Sequence, residues 1–428
     1  MTATTSPWLT GNFGPVTEEV TAVDLEVTGA LPEGLDGRYV RNGPNPRGAV
    51  DPASYHWFTG DGMVHGVRLR EGRAEWYRNR WVGDAGGFGP NTNVIGHAGR
   101  TWAIVESGPP PVELTEELEP LGPVAFDGDL AEGYTAHPHR DPATGELHAV
   151  SYLWAWDHLR YTVVGVDGRV RHEVRVPVPG RPMVHDCALT EHHVVLLDLP
   201  VTFDMDAAVA GTTLPYAWTP DYGARVGLLP REGPADDVAW FEVSPCYVFH
   251  PLNAHETDDG RVVVDVVRHP RMFDRDRSGP NEGATRLDRW TIDPTTGRVA
   301  EETLDDTYVE LPRHDERLVG RPYRYGYAMA FDGDDHHGGA VKYDLRAGTT
   351  EHREYGPGRV TDELTFVPRS AGAAEDEGWL LSYVYDAATD RSDLVVLAAD
   401  DFTGDPVATV HLPGRVPFGF HGNWIPTA

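Results

Sequence analysis

Short runs of alternating apolar residues, each closed by a turn rich in Asp and Gly, recur along nearly the whole chain of 428 residues. In HWFTGDGMVHGVRL, Asp61-Gly62 sits between two such runs, and similar turns recur within 141–152, 165–176, 258–267, 293–304 and 344–355. A period of two buries one face of a strand, and Asp-Gly is a favoured hairpin dipeptide. The chain is therefore predicted to be all-β and built from repeated hairpins. No fixed repeat length survives, so a WD or kelch array is not expected. Helical character is expected in two short pieces, near 112–121 and 203–211, both read as insertions between strands.

Charge narrows the partners. Sixty-seven acidic against 36 basic residues give a formal charge of -31, which repels phosphate backbones and anionic headgroups. Nucleic acid is excluded as an expected partner. Lys342 is the one lysine, so Schiff-base chemistry has a single candidate. Cys187 and Cys246 form no CxxC pair and no disulfide framework. The N-terminal text MTATTSPWLTGNFGPV has neither a basic nor an apolar leader region. A cytoplasmic protein is expected, as a single domain over residues 1–428. The mildly apolar 201–218, which carries acidic residues, predicts weak peripheral membrane contact at most.

The 20 histidines divide into two groups. His192-His193 and His336-His337 lie in charged turns and are read as solvated. His137 in TAHPH, His185 in MVHDC, His250 in YVFHP and His421 in GFHGNW lie in apolar strand text. Taken singly, each is more simply a hydrogen-bonded core histidine. Their spacing changes that reading. The intervals are 48, 65 and 171 residues, and the last is three times 57. Propeller blades repeat at roughly 40 to 60 residues around one axis, so one histidine per innermost strand converges on that axis. Glu106, Glu310 and Glu363 stand in comparable apolar text, with steps of 60, 53 and 58 residues from His250 through Glu310 and Glu363 to His421.

Four imidazoles suit a divalent first-row metal such as iron, copper or zinc. Structural zinc more often recruits thiolates, and hydrolytic zinc keeps three ligands and a water. Octahedral iron(II) would keep two positions open, and dioxygen can use them. The glutamates then serve as acceptors for the outer ring N–H of the ligands.

With these residues in hand, the chain resembles the carotenoid cleavage oxygenases nearly end to end. The matching text runs from LPEGLDGRYVRNGPNP (31–46) through FTGDGMVHGV, EWYRNRWV, NTNV, TAHPH, DPATGE and VFHPLNA to GFHGNW. The resemblance implies a seven-bladed β-propeller capped by a dome of loops and short helices, with Fe(2+) held on the axis by His137, His185, His250 and His421. It implies that Glu106, Glu310 and Glu363 back His185, His250 and His421, and that Thr92 leans toward an open iron position. It further implies cleavage of a conjugated C=C bond of a hydrophobic substrate by O2 into two carbonyl products, with no organic cofactor. Phe88, Tyr134, Trp154, Phe249, Tyr325 and Trp424 are the expected tunnel aromatics. In the stilbene-cleaving branch a lysine precedes the first glutamate and binds a phenol together with a tyrosine. Here those places hold Val105 and, on the alignment of EWYRNRWV, Trp81. A carotenoid or apocarotenoid is therefore expected over a stilbenoid.

Two other classes compete with this reading. A propeller binding module has no need of four axial histidines. A calcium-dependent lactone hydrolase would offer oxygen ligands where this chain offers nitrogen. The iron motifs do not by themselves separate cleavage from the retinoid isomerisation that some family members carry out.

Overall fold

The computed structural model describes residues 6–83, 89–124, 126, 130–280, 282–331 and 338–427. Within them seven antiparallel sheets of four or more strands form the blades of a β-propeller, and an eighth pairs only Val201–Phe203 with Tyr216–Trp218. The first blade is Asn93–His97, Arg100–Ile104, Val112–Leu114 and Pro120–Pro123. Blades two to five begin with the strands His139–Arg140, Ala188–Leu189, Pro251–Glu256 and Val309–His314, and each adds three more outward. The sixth starts at Thr365–Pro368 and ends, beyond Ala408–His411, on the N-terminal strand Val27–Gly29. The seventh takes Gly422–Pro426 as its innermost strand, followed by Gly37–Pro44, Gly62–Arg70, Arg73–Trp81 and Thr21–Val23.

Both ends of the chain thus close the ring, one at the outer edge of blade six and one at the centre of blade seven. Pairing removes the open strand edges that an unclosed ring would leave. The innermost strands of blades three to seven and then blade one neighbour one another in that order. Apolar side chains fill the spaces between blades. Tyr161, Val195, Val226, Val264 and Trp290, all essentially without exposure, belong to one cluster spanning blades two to four.

The hairpin reading holds, with one turn moved. Asp61-Gly62 opens the strand Gly62–Arg70; it does not link two strands. The tight turn in that blade is Glu71-Gly72, with φ 50° and 69°, the pair of positive values that a type I′ connection requires. The expected helix near 112–121 is instead a hairpin of Val112–Leu114 and Pro120–Pro123. Val112–Leu114 pairs with the preceding strand, Thr115 N–H donates to the Glu119 carbonyl, and Leu118 turns left-handed at φ 67°. Sheet pairing there overrides a local helical preference. The second expected helix forms at Met205–Val209, where Asp204 caps the N-terminus by accepting from Ala207 N–H at 3.0 Å. His192 and His193 do not simply face water: both share the Glu256 carboxylate, at 2.7 and 3.0 Å. His336-His337 lies outside the described residues.

Candidate metal centre

Each innermost strand begins near the axis, and each delivers one polar residue within three positions of its start. In blade order these are Thr92, His137, His185, His250, Glu310, Glu363 and His421. The main chain locks the last of them: His421 N–H donates to the Thr92 carbonyl at 3.1 Å, and its carbonyl accepts from Asn42 N–H at 3.0 Å.

The four imidazoles meet. One ring nitrogen from each of His137, His185, His250 and His421 lies within 4.8 Å of the others, and all four residues are buried. Nε2 of His185 stands 2.9 Å from that of His137 and 3.1 Å from that of His250. Behind them His250 Nδ1 donates to Glu310 Oε2 at 2.7 Å, and His421 Nδ1 donates to Glu363 Oε1 at 2.9 Å. His185 Nδ1 is 2.8 Å from Glu106 Oε2, close enough for an ion pair, although the angle between them falls short of a hydrogen bond.

This arrangement fits a cation. A proton held at Nδ1 by a carboxylate leaves Nε2 with a bare lone pair. The carboxylates make that hydrogen bond at His250 and His421, and where the neighbouring Nε2 is likewise bare, two lone pairs about 3 Å apart repel unless a positive ion lies between them. Ligands at right angles, about 2.1 Å from one ion, stand about 3.0 Å apart, whereas tetrahedral ligands stand about 3.4 Å apart. The two separations lie nearer the right-angled case, which octahedral and square-planar coordination share.

Electrostatics point the same way. Burial, together with the three neighbouring imidazoles, pushes His137 well below the usual histidine range. Burial takes His421 down to about 4 despite Glu363. At His250 burial also lowers the pKa, but the Glu310 charge and hydrogen bond outweigh it and the net shift is upward. Burial alone would raise both carboxyls. His250 and His269 instead hold Glu310 well below the carboxylate range, and Arg313 and His421 hold Glu363 down to about 2. The result is an ionised acceptor behind each of these two imidazoles.

Three supporting residues escaped the sequence reading. His269 Nε2 donates to Glu310 Oε1 at 2.5 Å, and Arg313 lies 3.4 Å from Glu363 Oε1. Asp186 Oδ2 lies 3.8 Å from His137 Nδ1, while its Oδ1 accepts from His139 Nε2 at 2.7 Å. His137, which has no glutamate, therefore has this aspartate as a nearby carboxylate. The text held two signals: His269 repeats the His-Pro dipeptide of His137 and His250, and Asp186 directly follows His185.

A cavity of about 840 Å3 opens over the cluster, and His185, His250 and His421 form part of its wall. Thr92, Val105, Trp154 and Phe249 line it as well, joined by Trp57, Phe58 and Phe420, which were not foreseen. Trp154, Met205 and Val209 reach the cavity and are also exposed, with Val209 81% exposed. Among the described residues no helix is long and apolar enough to cross a membrane.

Three expected tunnel residues lie elsewhere. Tyr134, bridged through its backbone to Glu106, packs its ring 5.0 Å from Phe126 in the core. Tyr325 is covered by Arg324 and Lys342 at 4.7 and 4.5 Å. Trp424 packs against the core shared by the two closing blades. Trp81, aligned with a phenol-binding tyrosine, donates instead to the Asn45 carbonyl at 3.1 Å under the Arg47 guanidinium. Phe88 lies outside the described residues.

The profile of the family described as Retinal pigment epithelial membrane protein matches residues 13–86 and 89–426. The chain belongs to this family, the carotenoid cleavage oxygenases. It is 47% identical to the carotenoid cleavage oxygenase of Mycobacterium tuberculosis, over 99% of this chain and 98% of that one. Among solved structures it resembles the lignostilbene dioxygenase of Pseudomonas brassicacearum, with a TM-score of 0.91 and 31% identity over 99% of both chains. The cobalt-substituted apocarotenoid oxygenase of Synechocystis follows, with a TM-score of 0.88 and 27% identity over 96% of this chain and 97% of that one. Like other carotenoid cleavage oxygenases, this protein is a non-haem iron enzyme, and its donor set fits that metal.

Glu310 accepts from His250, His269 and Leu311 N–H at once. Glu310→Gln replaces one acceptor oxygen with a donor and is expected to lower iron affinity or turnover about 10- to 100-fold. Iron titration alongside initial rates checks this. Wild-type values in Glu310→Ala would mean that the carboxylate orients nothing.

Proposed function

We propose that the protein cleaves a conjugated carbon–carbon double bond of a carotenoid or apocarotenoid with dioxygen, giving two carbonyl products. The observation that carries this reading is the four-imidazole cluster set into the wall of an aromatic cavity. A long apolar chain fits such a cavity, and its burial is driven by removal of apolar surface from water.

We assign His137, His185, His250 and His421 to holding iron(II), and Glu106, Glu310 and Glu363 to orienting the last three of these. Iron, when bound, supplies the activation of dioxygen. The chain's own residues do the remainder. Glu310 and Glu363 keep the proton on Nδ1 of His250 and His421 and so direct their Nε2 inward. Trp57, Phe58, Phe249 and Phe420 exclude water and hold the alkene beside the three imidazoles of the wall. Thr92 limits the face from which dioxygen approaches. In the balance one C=C bond is broken, and both oxygen atoms of O2 end as the two carbonyl oxygens.

The exposed Trp154, Met205 and Val209 form an apolar rim through which a lipophilic substrate enters, with at most weak membrane contact. Cys187 and Cys246, buried and unpaired, suit a reducing cytoplasm.

A stilbenoid substrate is the second reading, favoured by the likeness to the lignostilbene dioxygenase. Val105, buried in the cavity wall, speaks against it, because it removes the donor that the stilbene-cleaving branch offers a phenol at that position. A buried phenol left without a partner loses about 1 to 3 kcal/mol. An apocarotenal is accordingly expected to exceed 4-hydroxystilbene in kcat/KM by tenfold or more, roughly what that loss implies. A hundredfold preference for the stilbene would reverse the substrate assignment and leave the iron site untouched.

A further inference from the structure

Two of the carboxylates behind the imidazoles are followed by residues with the same unusual backbone. Ser107 follows Glu106 at φ 47°, and Leu311 follows Glu310 at φ 53°. Such values are uncommon outside glycine, and they mark positions that the surrounding structure over-determines. Both residues line the cavity. The two matched positions differ in chemistry, since one carries a hydroxyl and the other an isobutyl group.

The hydroxyl has company. Tyr216 lines the same cavity and is 6% exposed, and its buried phenolic oxygen has no hydrogen-bond partner. Burial pushes that phenol up, and the Ser107 side chain is near enough to ease the shift, yet no bond of ordinary geometry joins the two. Tyr152, also in the lining, packs edge-on to Tyr216 at 6.1 Å. Around Leu311 the lining includes Met329, which pairs across the sheet with Glu310, and Phe331, whose ring stacks on Tyr308 at 4.4 Å. Buried hydroxyls are nearly always paired. Tyr39, Tyr134, Tyr327 and Tyr383 also lack a partner, but of these tyrosines Tyr216 is the one on the cavity wall, where its hydroxyl can meet a ligand oxygen.

We propose that Ser107 and Tyr216 bind an oxygen atom, hydroxyl or carbonyl, carried near one end of the polyene. This rests on the reading of the substrate as a carotenoid or apocarotenoid, and it makes oxygenated polyenes the preferred members of that class. The ring contacts of Tyr216 are with Tyr152 and Phe203 and not with the imidazoles, so its role is read in substrate binding to the iron-free protein.

The test uses two matched pairs of polyenes. One pair differs only by a terminal aldehyde against a methyl group, the other only by a ring hydroxyl against hydrogen. Binding to the iron-free protein is read by quenching of tryptophan fluorescence, and kcat/KM is read on the iron-loaded protein. In at least one pair the oxygenated member is expected to bind the wild type about 10- to 100-fold more tightly, as a site built around a buried hydroxyl requires. The pair that discriminates tells which oxygen is read. In Tyr216→Phe the ratio falls to within about twofold. Ser107→Gly, whose backbone suits the left-handed conformation, lowers it in the same direction. Equal binding of both members of both pairs by the wild type overturns the proposal, as does a ratio that survives in both variants. If the binding ratios behave as expected but no polyene is cleaved, the oxygen-binding pair stands and the proposed reaction falls.

Discussion

Alanine at both His250 and His421 is expected to yield a folded chain that retains a small fraction of the wild-type iron and forms no product. The fold survives because the buried carboxylates keep other partners. Glu310 still accepts from His269 and Leu311 N–H, and Glu363 still accepts from Gly422 N–H beside Arg313. The main-chain bonds of residue 421 to Thr92 and Asn42 do not involve the imidazole. The metal has no such reserve, because two of its four nitrogen donors are gone and water must take their places. Elemental analysis after anaerobic loading is expected to find about one iron per wild-type chain and a small fraction of that in the variant, on the scale by which ligand loss weakens a site. Stoichiometric iron in the double variant would refute the assignment of these two ligands.

Removing the chain beyond Val416 is expected to abolish the fold along with the site. The lost segment contains Gly422–Pro426, which pairs over five residue positions with Gly37–Pro44 and forms the innermost strand of the closing blade. Without it the inner edge of Gly37–Pro44 is left unpaired at the centre of the ring, and an exposed strand edge of this kind recruits other chains. Loss of cooperative thermal unfolding and soluble aggregation are the expected signs, followed by circular dichroism and size-exclusion chromatography. His421→Ala in the full-length chain separates the two effects, since it removes one ligand and leaves the strand. A truncated chain that melts cooperatively near the wild-type temperature would mean that the ring closes by other means.

The ring was legible because its regularity lies in the chain itself. Turns such as 141–146 and 293–298 join neighbouring strands, and the polar residues of successive innermost strands recur at blade spacing. A β-strand writes its pattern into sequence with a period of two, so an all-β reading needs no knowledge of tertiary contacts. The failures lie where tertiary contacts decide. The acidic text at 112–121 reads as helix until the preceding strand is present to pair with it. Tyr134, Tyr325 and Trp424 are aromatic like Trp154 and Phe249, and only their tertiary surroundings separate core from cavity wall. Asp186 and His269 escaped for a related reason. Their chemistry depends on the neighbour they meet across the ring, and that neighbour is 49 residues away for Asp186 and 41 for His269 in sequence.

The central claim is that iron on the four histidines and the cavity above them together split an alkene. Its most direct measurement is the mass balance of products formed by the iron-loaded protein from a single apocarotenal under 18O2. Two carbonyl compounds are predicted, in equal amounts, their masses together equal to substrate plus one dioxygen, with label in both and neither formed by the His250, His421 double alanine variant. A product of unchanged mass, altered only in double-bond geometry, would contradict the claim and make the protein an isomerase.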